Sequence, residues 1–190
     1  MVIPPYAPSF AWYVEWGRGI AAGLSDSEAI LRANKALHIG RKDFARCLTA
    51  GNTGSMTLSV PVAGGSHALR RHGAELTATL SGHGNWRHVH AGAMDAVYGR
   101  TPFFQHLMPA LGAVLEEEQR SLADLNLAIH HVLAEFLSLP ATYGELPESV
   151  AERARELSAE IDRGKSMVDA LMRLGRDTVL ALLHEISDGA

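Results

Sequence analysis

The segment Trp86-Arg-His-Val-His90, running on to Val97-Tyr98, constrains this chain most, because its large side chains recur at helical rather than strand spacing. At about 100° per residue, Trp86, His90, Met94 and Val97 share one face of a helix, with Tyr98 at its edge, and Pro102 marks where that helix must stop. An imidazole is thereby carried among core-facing residues. His90 reads either as a general acid or base on an aromatic wall, since imidazole titrates near neutrality, or as a core histidine held by a backbone carbonyl.

Upstream of Trp86 the pattern is different. A Pro-rich lead is followed by Phe10, Tyr13, Val14, Gly17 and Ile20 at helical spacing, so a helix capped by Ser9 is expected. Residues 28–34 stay open between helix and strand, although Ser25-Asp-Ser-Glu28 is a capping box and favours helix. Phe44 to Thr49, Met56 to Val62 and Glu75 to Leu80 alternate in part and are separated by Gly51-Asn-Thr-Gly54 and Gly64-Gly65-Ser66, which reads as antiparallel strands and turns. Pro61 places the second strand at an edge or at its own end.

From Trp86 on, helical patterns cover 86–98, 103–118, 121–137, 147–162 and 166–184. Leu122, Leu125, Ile129, Leu133 and Leu137 form the clearest apolar stripe, while 148–163 is highly charged and reads as a solvated or partner-facing helix. The expected fold is therefore α+β, a small antiparallel sheet in the N-terminal half followed by a predominantly helical C-terminal half. The domain reading is a core over 1–139 and a C-terminal helical extension over 140–190, jointed at Pro140 to Pro147.

Composition narrows the function. A chain of 190 residues, nearly half hydrophobic, can bury a real core, and its net charge of −4 with no Lys/Arg stripe argues against nucleic acid as a partner. The single cysteine, Cys47, cannot form an intramolecular disulfide, so a reducing, cytoplasmic setting is expected. No basic stretch precedes the apolar residues of the opening Met-Val-Ile-Pro-Pro, and no apolar run is long enough to span a bilayer. Neither a standard secretion signal nor membrane insertion is expected. Glycine-rich phosphate loops and Gly-x-Ser-x-Gly are absent.

Several motifs, taken in order, resemble the WbqC-like protein family of bacterial surface-polysaccharide gene clusters. They are Tyr6-Ala-Pro8 with Trp12, Arg46-Cys47, Gly51-Asn-Thr-Gly54, Leu58-Ser-Val-Pro-Val62, Trp86-x3-His90, Tyr98, Pro102-Phe-Phe104, Asp124-Leu-Asn126-Leu, and Ser166-Met-Val-Asp169 closing at Gly175. The chain departs from the family pattern at Ala11, in Asp43-Phe-Ala-Arg46, and in the charged helix around 151–162. The resemblance implies an enzyme of O-antigen biosynthesis that moves an aminoacyl group, such as glycine, onto an amino sugar.

On that reading His90, Cys47 and Asp169 are the catalytic candidates, with Cys47 as nucleophile and Asp169 orienting His90. Arg46 is placed to steady a thiolate or bind a phosphate or carboxylate, and Trp86, Tyr98, Asn126 and Ser166 are the remaining substrate-binding candidates. Each also has a plain reading: Cys47 as a small buried strand residue, Trp86 and Tyr98 as core, Ser166 and Asp169 as a helix cap. No cofactor is expected, the partner is a small sugar or acyl donor, and a protein partner could dock on 148–163. The rival class is a non-catalytic binding or assembly protein. A third reading, a metal hydrolase, draws on His67, His72, His83, His88 and His90; His88 and His90 point about 200° apart on a helix, so no metal site is expected there.

Overall fold

The computed structural model describes residues 1–51, 53–71, 73–117, 121–139, 148–158 and 161–188. Helix α1 (Phe10–Ala21) starts where the sequence places it: the Ser9 hydroxyl accepts from the Trp12 amide at 3.2 Å. It packs on α2 (Asp26–Ala36), which settles the open segment as helix. Two features decide this. The Glu28 carboxylate accepts from the Ser25 amide at 2.9 Å, and Ala29, Ile30 and Ala33 make a small buried stripe. Gly19 lets the two helices approach, since a Cβ there would sit 3.0 Å from that of Ala29.

A ribbon of two antiparallel strands follows, β1 (Arg46–Gly51) and β2 (Gly54–Ser59), in register Arg46↔Ser59, Cys47↔Leu58 and Thr49↔Met56. The third expected strand is not one. Residues 74–77 form a helical turn, α3 (Ala74–Thr77), the chain becomes extended only from Ala78, and Thr79 and Leu80 make isolated bridges to Ser121 and Val62 respectively. Ala74, Glu75 and Leu76 are strong helix formers, and Gly73 at φ +77° turns the chain into them. β2 ends before Pro61, which has no amide proton to give a ladder.

Helix α4 (Trp86–Tyr98) buries Trp86, His90, Met94 and Tyr98 and packs on β1. Then come α5 (Phe104–Glu116) and α6 (Leu122–Phe136), the latter started by a capping box of Ser121 and Asp124. The last three are α7 (Glu148–Leu157), α8 (Met167–Leu174) and α9 (Arg176–Asp188). The single helix expected over 166–184 is thus broken at Gly175, whose φ of +78° and ψ of 168° stop α8. α7 packs on α9 with Ala154 buried, while Arg153 pairs with Glu156 on its exposed side. The architecture is α+β with a helical C-terminal half.

The chain is stitched end to end. The Ser166 amide donates to the Leu48 carbonyl at 2.7 Å, and the Met167 amide to that of Pro8 at 2.8 Å. The joint expected at 140–147 lies outside the described residues. One hydrophobic cluster draws on α1, α2, the ribbon and helices on both sides of that stretch.

Candidate functional site

Strand geometry divides the site. Successive side chains on a strand point to opposite faces, so neighbours Arg46 and Cys47 part company: Cys47, Thr49 and Leu58 face the interior, whereas Arg46 and Ser59 are exposed on the outer face. The expected support of a Cys47 thiolate by Arg46 is therefore corrected by the pleat. Burial instead pushes the Cys47 thiol up to about 12, which keeps it protonated at neutral pH. On the inner side, Tyr6, Cys47, Thr49, Met94 and Ser166 border a cavity with about 20 Å³ of room, on the order of what one water needs.

His90, only 3 % exposed, does not line that cavity and is linked to it through Tyr6. Its Nε2 is 3.2 Å from the Ser59 carbonyl, and its Nδ1 is 2.8 Å from the Tyr6 hydroxyl. A carbonyl can only accept, so the neutral ring carries its proton on Nε2 and the Tyr6 O–H donates to Nδ1. Ala7, at φ +41°, turns the chain beside Tyr6, a conformation that costs an L-residue about 1–2 kcal/mol. Burial pushes Tyr6 well above its usual value, with the nearby Cys47 adding to the effect.

Burial also pushes His90 below its ordinary value, the Ser59 carbonyl opposing in part. The unfolded chain takes up this proton near pH ~6.5 and the folded chain only at lower pH. Stability is therefore lost as pH falls through about 6.5 and levels off below the folded-state value. Between about pH 7.5 and 5.5, we expect the thermal midpoint of the parent to fall further than that of His90→Gln. Parallel profiles would mean that His90 titrates alike in both states.

Asp169 holds Tyr98 rather than His90. The Tyr98 hydroxyl donates to Asp169 Oδ1 at 2.6 Å, while Thr49 Oγ1 at 2.5 Å and the Ala50 amide at 3.2 Å reach the same phenol oxygen. Arg173 Nε donates to Asp169 Oδ1 at 3.0 Å. Burial, then the Asp169 carboxylate, pushes Tyr98 up. This hub ties α4, β1 and α8 together. Ser166 caps α8, its hydroxyl accepting from the Val168 amide. Asn126 is fully buried, and its Nδ2 donates to the carbonyls of Pro4 at 3.0 Å and Phe44 at 2.9 Å. Trp86 packs edge-on against His90, ring centres 5.2 Å apart, and the Arg87 guanidinium lies 4.5 Å from the centre of the Trp86 ring.

The expectation that Arg46, Trp86, His90 and Asp169 border one pocket is not met. Arg46 lines an outer cleft and Asp169 a separate shallow one beside Arg173. The sequence reading also passed over a second Tyr–His pair. Tyr13 Oη is 3.1 Å from His130 Nδ1, and His130 Nε2 is 3.6 Å from Asp26 Oδ1, which accepts from Trp16 Nε1 at 2.9 Å. The His130 imidazole is the main cause holding the Asp26 carboxyl below its usual value. A histidine inside the apolar stripe of α6 was the available signal. Among the described residues no three His, Cys, Asp or Glu side chains group to hold a metal, and His72 lies outside them.

The family model of the WbqC-like protein family matches residues 34–181, most of the chain. The protein belongs to the WbqC-like protein family. No curated protein and no solved structure matches it. Within the matched span of this WbqC-like protein fall the ribbon, the His90 face of α4, Asn126 and the Tyr98–Asp169 hub; Tyr6 lies before it. Among the described residues no helix is long and apolar enough to cross a membrane.

Proposed function

We propose that this WbqC-like protein is an enzyme of bacterial surface-polysaccharide biosynthesis that moves a small acyl group, glycyl in the simplest case, onto an amino sugar. The observation that supports it is the line Tyr6–His90–Ser59, which leaves one unprotonated imidazole nitrogen behind a phenol at the cavity. The space beside Tyr6 has the size of a water, which is also the size of an amino group. An attacking amine there gives its proton to the Tyr6 oxygen as Tyr6 passes its own to His90 Nδ1. The amine forms the new C–N bond, the bond to the donor breaks, and the proton returns to the leaving group. A thiol held near 12 favours this direct transfer over a covalent step at Cys47.

The test is mass spectrometry of surface glycan from a host strain lacking the gene and complemented with each variant. The parent restores the acylated amino sugar. His90→Gln and Tyr6→Phe lower the transfer rate by ~10²–10⁴, typical of acid–base groups, and Cys47→Ala retains it. Folded His90→Gln and Tyr6→Phe proteins that transfer as the parent does would sink the reading. One observation favours the rival, a non-catalytic binding or assembly protein: both His90 nitrogens already have protein partners. On that account the glycan is unchanged by His90→Gln.

A further inference from the structure

We infer that the outer cleft of the ribbon is a binding site for a soluble diphosphate-bearing small molecule. This site stands apart from the acyl-transfer reading and does not rest on it. Three separate stretches bring cations to one place: Arg41 and Lys42 from the turn before β1, Arg46 from the first position of β1, and Arg70 from the end of the 3₁₀ turn Gly65–Arg70. The cleft they line has about 400 Å³ of room, within the range of small-ligand pockets. Its floor is apolar, including Val60 and Leu69.

No acidic side chain lines this cleft, although the chain has more acidic than basic residues and a net charge of −4. Among the described residues none of the four cations pairs with a carboxylate; the ion pairs lie elsewhere, on Arg18, Arg32, Arg153 and Arg173 for example. Like charges gathered without a counter-charge repel one another, and an anion relieves that repulsion. Arg41 is already held in place, its Nη1 donating to the Arg70 carbonyl.

Chemistry selects the anion. Three guanidinium forks match phosphate oxygens two at a time, and an ammonium adds a point charge. A single carboxylate would leave most of these donors unused, whereas a diphosphate offers oxygens and charge enough for all four. The apolar floor suits the body of an organic molecule carrying that group. A stripe of basic residues, as needed to follow a nucleic-acid backbone, is not what the cleft presents.

The probe is inorganic pyrophosphate, titrated calorimetrically into the full chain in chloride buffer, with acetate as the carboxylate control. Saturable binding is expected, with acetate binding at least tenfold weaker. Because charge-assisted hydrogen bonds carry the contact, Arg46→Gln and Arg70→Gln should each raise Kd by on the order of 10-fold or more. All four cations are exposed, so an unchanged thermal midpoint verifies folding, and Lys42→Gln gives a further variant if one of the arginines is needed to fold. No saturation with pyrophosphate, or equal affinity in folded Arg46→Gln and Arg70→Gln, overturns the proposal. Sedimentation with phosphatidylcholine vesicles containing phosphatidic acid, without pyrophosphate binding, also overturns it and assigns the cleft to a lipid headgroup.

Discussion

Gly175→Ala is expected to destabilise the protein by roughly 2–6 kcal/mol, the largest effect of any glycine-to-alanine change among the described residues, since its added Cβ meets the closest contact of all. Two costs combine. At φ +78° and ψ 168° an L side chain enters a region used almost solely by glycine, at about 1–3 kcal/mol. The added Cβ would also stand 2.4 Å from Phe103 Cε1 and 2.5 Å from Cζ, and forcing a ring out of a packed site costs about 1–3 kcal/mol more. Gly23→Ala is the control, because Gly23 has φ +82° but nothing within 4 Å of a new Cβ, so only its backbone cost of about 1–2 kcal/mol should appear. Urea denaturation of both variants checks this. Equal losses would show that the Phe103 ring moves aside freely.

Asn126→Ala should cost about 2–6 kcal/mol and leave whatever ligand affinity survives in the folded fraction unaltered. The amide side chain carries two donors, and both are spent on carbonyls of Pro4 and Phe44. Truncation strands two acceptors inside the protein, at about 1–3 kcal/mol for each buried group left unpaired. A substrate-binding asparagine would show the opposite pattern, lost affinity at constant stability, so chemical denaturation beside a binding assay separates the two roles. A denaturation midpoint matching that of the parent would mean that water replaces the side chain.

Where side-chain periodicity was long and local chemistry agreed with it, the fold could be read from the sequence. Ser9 and Ser121 cap helices that begin as expected, and Trp86, His90, Met94 and Tyr98 bury one face of α4. Short segments failed because two or three apolar residues fit either period: Thr77 to Leu80 looks like the end of a strand, yet Ala74–Thr77 coils first. The break at Gly175 was marked only by the glycine itself.

The site was legible in part and for a definite reason. Motif pieces far apart in sequence do meet, Phe103 against Gly175 and Tyr98 against Asp169, but several of these meetings are packing and tying contacts. Resemblance at a position does not say which side of a strand it faces. Arg46 and Cys47 are adjacent in the chain and lie on opposite faces of the ribbon. Arg41, Lys42 and Arg70 form no run in the sequence, and only the turns that flank the ribbon bring them beside Arg46.

The residues ahead of α1 carry a consequence for how the protein is made. Ile3, Tyr6 and Ala7 are buried without belonging to any helix or strand; the Ile3 carbonyl and the Tyr6 amide meet Asn34 and Asp43 early, but two further anchors come late: His90 is 84 positions beyond Tyr6 and Asn126 is 122 beyond Pro4. At ribosomal speeds of about 5–20 residues per second, this apolar stretch waits roughly six to twenty-five seconds for Asn126 alone. During that interval it is exposed surface, available to chaperones and to other nascent chains. Folding of this protein is then gated by the arrival of its own later helices, and this early segment settles only after partners made well after it.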